Sequence, residues 1–129
     1  MPLRVLLVED SPVLAERLRE ALDSLENVEV VDTVTDESAA VAAVKANQID
    51  VIILDLQLKE GTGFGVVRRL GKIRPKIIVF TNYMLPEYQR LADSLGVEYF
   101  LNKSRDYEQL PQLIQELGAE PVSKGDVPL

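Results

Sequence analysis

Val51-Ile52-Ile53-Leu54-Asp55-Leu56-Gln57-Leu58 is the stretch whose reading decides the fold. Four consecutive aliphatic residues, three of them β-branched, are too few for a buried helix and too continuous for a strand with one wet face. A strand apolar on both sides must be covered on both sides, as in the centre of a parallel sheet packed between helices. Runs of the same kind recur at Leu3–Val8, Val28–Val34, Ile77–Phe80 and Val97–Leu101, and the quoted run itself reads as a strand from Ile49 to Leu54. Between them the spacing turns helical. Leu14, Leu18, Leu22 and Leu25 share a face after Ser11-Pro12, an N-cap followed by proline at the first helical position. Val41 and Val44 lie in an alanine-rich helix starting near Thr35-Asp36, and Val66, Val67 and Leu70 mark a short third helix stopped by Gly71. Tyr88, Leu91, Ala92 and Leu95 give a fourth before Gly96, and Leu110, Leu113, Ile114 and Leu117 a fifth before Gly118. Pro111 falls inside that last pattern, so the fifth helix is expected to begin late, after an irregular turn from Ser104. Five strands alternating with five helices predict an α/β domain with a parallel sheet covered on both faces.

The chain of 129 residues fits one domain, and 47% hydrophobic content supports a packed core. The predicted domain covers residues 1–118. The stretch from Gly118 to Leu129 has two prolines, two glycines and no periodicity, so residues 119–129 are expected to form a flexible tail. With 21 acidic against 14 basic side chains the formal charge is −7, which disfavours direct nucleic-acid binding and suits a divalent cation or a basic protein patch. The absence of cysteine excludes disulfides and thiol chemistry, and the absence of histidine removes the commonest general base and transition-metal ligand. No signal peptide or membrane span is read at the N-terminus, where Glu9-Asp10 interrupts a short apolar run, so a soluble cytoplasmic protein is expected.

In open α/β sheets function gathers at the carboxyl ends of the strands. Glu9-Asp10 follows the first strand, Asp55 the third, Thr81 the fourth and Asn102-Lys103 the fifth. Singly, each has an ordinary reading: Glu9-Asp10-Ser11 as a helix start, Thr81 as a strand-end threonine, Lys103 as a solvated lysine. Asp55 is less easily accounted for, because a carboxylate directly after an apolar run needs a cation or donated hydrogen bonds. Together, three clustered carboxylates repel one another unless a cation sits among them. An all-oxygen set selects a hard ion, Mg²⁺ best, with Mn²⁺ and Ca²⁺ also admitted. A hydroxyl and an ammonium on the same edge would neutralise a phosphoryl group.

These landmarks resemble a response-regulator receiver domain, the phospho-accepting half of two-component signalling, over about residues 3–117. They are Val8-Glu9-Asp10-Ser11, Leu54-Asp55-Leu56-Gln57-Leu58 with Gly61-Thr62-Gly63, Phe80-Thr81-Asn82, and Tyr99-Phe100-Leu101-Asn102-Lys103, in order. The resemblance implies a flavodoxin-like doubly wound sheet of order 2-1-3-4-5. It implies Asp55 as the phosphorylated nucleophile, Glu9, Asp10 and Asp55 with the Gln57 carbonyl as Mg²⁺ ligands, and Thr81 and Lys103 on the phosphoryl group. Phe100 would be the switch aromatic coupled to Thr81. It implies a histidine kinase or phosphotransfer protein as phosphodonor, and a downstream protein or second copy on the face of the fourth helix, fifth strand and fifth helix. Catalysis would be confined to the domain's own phosphorylation and dephosphorylation. No further domain follows Leu117, so the chain is expected to act as a stand-alone receiver or as the receiver segment of a longer regulator.

Three positions depart from the family pattern. Ser104 replaces the proline that usually follows the lysine after a cis bond, Asn82 replaces a small residue and should crowd phosphate access, and Gln57 offers an amide able to orient water. Three other readings compete. A haloacid-dehalogenase-like phosphatase needs an acid at position 57 and a cap insertion. A nucleotide- or flavin-binding loop at Gly61-Thr62-Gly63-Phe64-Gly65 lacks the P-loop Lys-Ser/Thr. A degenerate receiver binding partners without phosphorylation is opposed by the complete Glu9/Asp10/Asp55/Thr81/Lys103 set.

Overall fold

The computed structural model describes residues 2–72 and 74–119. The expected residues 119–129 tail therefore lies outside the described residues except for Ala119, which closes the last helix. The elements run β1 (Leu3–Val8), α1 (Pro12–Asp23), β2 (Val28–Val34), α2 (Glu37–Ala46), β3 (Val51–Leu54), α3 (Gly63–Leu70), β4 (Lys76–Thr81), α4 (Pro86–Ser94), β5 (Tyr99–Asn102) and α5 (Gln109–Ala119). All strand pairs are parallel, in the order β2-β1-β3-β4-β5, the flavodoxin-like arrangement of a receiver. The chain reverses its direction of winding between β1 and β3, and that switch point opens a crevice at the carboxyl end of the sheet.

The period-2 alternation of each central strand divides the core in two. Leu6, Val8, Ile52, Leu54, Ile77 and Val79 face the side covered by α2, α3 and α4. Val5, Leu7, Val51, Ile53, Ile78 and Phe80 face α1 and α5, against Leu18, Leu22, Leu110 and Ile114. The unbroken aliphatic run at β3 is thus explained: every one of its side chains is buried.

Local chemistry sets the ends. Ser11, Asp36 and Thr62 cap α1, α2 and α3 with side-chain oxygens that accept from Leu14, Ala39 and Gly65 N–H groups. β3 is shorter than the expected Ile49–Leu54: the Asp50 N–H donates to the Arg4 carbonyl and its own carbonyl accepts from the Lys76 N–H, but the Arg4 N–H is taken by the Asp50 carboxylate at 2.8 Å. β5 starts at Tyr99 rather than Val97, since the Val97 N–H is used on the Ala92 carbonyl in the turn that leaves α4 through Gly96, φ +77°. The fifth helix does begin late: turns occupy residues 103–108, and Pro111 falls in the first helical turn, where a missing N–H costs little. Gly118 does not end the helix, which continues through Ala119.

Truncating Ile53, 1% exposed at the centre of the sheet, is expected to cost about 2–5 kcal/mol as Ile53→Ala. Val13→Ala, at a site 70% exposed, should stay within about 0.5 kcal/mol of wild type. Urea denaturation of both variants checks the contrast.

Candidate functional site

The sheet ladder continues one residue beyond three strands. Glu9 N–H donates to the Val34 carbonyl, Asp55 N–H to that of Val8 and Lys103 N–H to that of Thr81, each at 3.0 Å. The backbones of these three residues are therefore held by the sheet itself. Glu9 (2% exposed), Asp55 (4%) and Thr81 (0%) are buried polar residues at the carboxyl edge. Lys103 Nζ lies 2.8 Å from Asp55 Oδ2 and 2.9 Å from Glu9 Oε1, bridging two carboxylates that come from different strands.

Asp10 is exposed, yet a carboxylate oxygen from each of Glu9, Asp10 and Asp55 falls within a 4.8 Å cluster. Oxygen-only donors, with no imidazole or thiolate in the chain, fit a hard divalent ion rather than zinc or copper. The exposed member leaves an approach from solvent. Gln57 comes next to this cluster through its backbone: its N–H is 3.4 Å from Asp55 Oδ1. Phe100 is half-buried and packs against the α2/α3/α4 side of the core with Tyr88, Leu91 and Leu95. All seven residues singled out in the sequence thus lie on the strand-end edge or directly beneath it.

Close approach of main chain shapes the turn after β3. Gly63 donates its N–H to the Leu56 carbonyl at 2.9 Å, and a Cβ at position 63 would collide with the Asp55 carbonyl oxygen. Only glycine lets α3 begin against the residue that carries the site.

Two residues went unnoticed in the sequence. Tyr83 donates its hydroxyl to Gln57 Oε1 at 2.9 Å and its N–H to Thr81 Oγ1 at 3.1 Å, so it bridges the segments after β3 and β4. Nothing in its position, a lone tyrosine after Thr81-Asn82, signals that reach. Asp106 is buried and accepts the Asn102 N–H at 2.8 Å, while Asn102 Oδ1 accepts from the Ser104 and Arg105 N–H groups. The Arg105 guanidinium and the Asn102 N–H hold the Asp106 carboxyl below the usual carboxylate range. An Asx pair spaced by four residues was the available signal. Among the described residues no peptide bond is cis, so Lys103–Ser104 is trans and this polar loop replaces the family's proline turn. Asn82 is exposed, and its Oδ1 accepts from the Ser104 hydroxyl at 3.4 Å.

Burial drives the electrostatics. Loss of hydration pushes the Glu9 carboxyl from 4.5 up to about 7, with the Asp55 charge adding to it and the Lys103 hydrogen bond opposing it. Burial also works against the Lys103 charge, but its bonds to Asp55 and Glu9 outweigh that and hold the ammonium above its usual range. Between about pH 4.5 and 7 the folded metal-free protein keeps a Glu9 proton that the unfolded chain has released, so this group lowers stability as pH rises through that window. Carboxyl NMR should place the Glu9 midpoint near 7, and Glu9→Gln should remove that part of the pH slope in urea denaturation. A Glu9 midpoint in the ordinary range would contradict this electrostatic account.

The response regulator receiver domain family matches residues 5–115. The transcriptional regulatory protein DesR of Bacillus subtilis is 31% identical over 88% of this chain and 57% of its own length. A protein-glutamate methylesterase/protein-glutamine glutaminase of Azospirillum brasilense is 30% identical over 98% of this chain and 31% of its own length. The chain therefore spans little more than half of the first of these relatives and about a third of the second. Among solved structures, the phosphorylated cyanobacterial phytochrome response regulator RcpA superposes with a TM-score of 0.78 at 26% identity, covering 91% of each chain. The response regulator domain of Thermotoga maritima CheB superposes with a TM-score of 0.81 at 21% identity, over 94% of this chain and all of its own, a likeness of fold. With that match over residues 5–115 on a sheet of the same order, the chain belongs to the response regulator receiver domain family.

Proposed function

We propose that the domain takes a phosphoryl group onto Asp55 in a Mg²⁺-dependent reaction and transmits the change to a protein partner. The observation that carries this reading is the Lys103 ammonium 2.8 Å from a buried Asp55 carboxylate, beside the Glu9/Asp10/Asp55 oxygen cluster. Glu9, Asp10, Asp55 and the Gln57 carbonyl are the groups that would hold Mg²⁺. When bound, the ion would supply positive charge to the phosphoryl oxygens in a loose transition state.

The chain's own residues do the rest. Asp55 Oδ1 or Oδ2 attacks phosphorus as the bond to the donor breaks, and the departing group leaves with the electron pair of that bond, as a neutral imidazole when the donor is a phosphohistidine that carries a proton on its other ring nitrogen. Lys103 neutralises the carboxylate before the step and a phosphoryl oxygen after it. Thr81 Oγ1, which accepts from the Tyr83 N–H here, turns its hydroxyl proton to a phosphoryl oxygen. Withdrawal of Thr81 leaves space that Phe100 fills by rotating inward, altering the surface of α4, β5 and α5. A histidine kinase or phosphotransfer protein is the proposed donor in the cell, since this chain has no histidine of its own. That altered surface is the proposed contact for a downstream protein or a second copy. The degenerate-receiver alternative has no observation in its favour, because every group the chemistry needs is present and grouped.

The Tyr83–Gln57 bond occupies the amide oxygen that would otherwise orient an attacking water near Asp55. Tyr83→Phe should therefore shorten the lifetime of the phosphorylated protein severalfold without altering the fold. Radiolabel decay measures it, and an unchanged or longer lifetime would rule this out. For the reaction itself, protein incubated with Mg²⁺ and a small phosphodonor should gain one phosphoryl group by intact mass. Lys103→Met should slow that gain by about 10²-fold or more, the typical effect of removing a group that stabilises transition-state charge. No gain in wild type, or the same gain in Asp55→Asn, would overturn the proposal.

A further inference from the structure

Gly61-Thr62-Gly63-Phe64-Gly65 has the look of an anion-binding loop, and an anion does occupy it: the carboxylate of the chain's own Glu37. Thr62 N–H donates to Glu37 Oε1 at 3.0 Å, and Arg69 reaches Glu37 Oε2 from the far side at 3.3 Å. A Cβ at Gly61 or at Gly65 would run into this Glu37 side chain, whereas Gly63 is required by the Asp55 carbonyl. Each glycine of the motif thus has a steric reason, and two of the three reasons are Glu37. The same segment is stitched along its length: Lys59 N–H donates to the Thr35 carbonyl and Glu37 N–H to that of Glu60, both at 3.0 Å.

The stitched segment is one arm of a closed turn. Thr62 pairs with Gln57 in an antiparallel bridge, fastened by the Gly63 N–H on the Leu56 carbonyl at 2.9 Å. The other arm of the turn is Asp55-Leu56-Gln57. From this connection we infer that Glu37 is a positioning residue for the Mg²⁺ site: by holding Thr62 it holds the turn that presents the Gln57 carbonyl beside Asp55. Glu37 touches neither metal nor phosphoryl group. It acts through Thr62, as outer partners of metal ligands commonly do. The inference rests on the reading of that site as one for Mg²⁺.

Direct titration of Mg²⁺ into the unphosphorylated protein, followed by calorimetry, tests it apart from any activity. Glu37→Ala should weaken Mg²⁺ binding by about tenfold while unfolding remains cooperative. Glu37→Gln keeps an acceptor oxygen for Thr62 N–H and should bind Mg²⁺ nearly as wild type does. If Glu37→Ala does not fold, Gly65→Ala carries the test instead, since its methyl group displaces the Glu37 carboxylate and should weaken binding likewise. A wild-type Mg²⁺ affinity in a folded Glu37→Ala or Gly65→Ala variant would overturn this inference and leave the proposed function standing. A wild-type protein that binds no Mg²⁺ would overturn both.

Discussion

Two carboxylates buried side by side cannot both stay charged unless a cation stands between them, and in this domain the cation is Lys103. Its ammonium bridges Glu9, after β1, to Asp55, after β3, from a position one residue past β5. The three strands that supply these groups are not all neighbours: β4 lies between β3 and β5. Correct strand order and register are therefore a condition of the charge balance, and the charge balance in turn rewards that order. The compensation is incomplete: burial still pushes the Glu9 carboxyl up to about 7. A group so poised favours any arrival of positive charge, such as the proposed Mg²⁺ would bring.

Backbone packing around Asp55 is as tight as the electrostatics. The sharp exit from β3 works because α3 starts on a glycine pressed against the Asp55 carbonyl. The rest of that turn is moulded around Glu37, the first residue of α2, so a helix on one face of the sheet braces the loop at its edge. On the opposite flank the Asn102–Asp106 hydrogen bonds do a comparable task for Lys103. The strand-end edge is thus held from two sides by carboxylates that lie outside the Glu9/Asp10/Asp55 cluster.

Much of this was legible in the residues. The β1 and β2 boundaries follow from aliphatic runs with abrupt polar ends, and the Ser11 cap and the start of α2 near Asp36 from ordinary helix-start chemistry. The strand-end residues Glu9, Asp10, Asp55, Thr81 and Lys103 could be read because a parallel sheet brings successive carboxyl ends to one edge. What could not be read were contacts between loops. Strand β3 loses Ile49 and Asp50 to a tie with Arg4, forty-six residues away for Asp50, which no local pattern encodes. Tyr83 reaches Gln57 across twenty-six residues, and Glu37 reaches Thr62 across twenty-five. The glycines of the 61–65 stretch looked like a turn, and the reason for each appeared only once its neighbour in space was known.

The account stands on Asp55 as the single phosphoryl acceptor. Borohydride reduces an aspartyl phosphate to homoserine, so trapping the protein after exposure to Mg²⁺ and phosphodonor, followed by peptide mass mapping, locates the modified residue. Homoserine at position 55 alone, lost when Mg²⁺ is chelated, is the predicted result. Homoserine at Glu9's neighbour Asp10 or at any other acid, or none at all, would contradict the account.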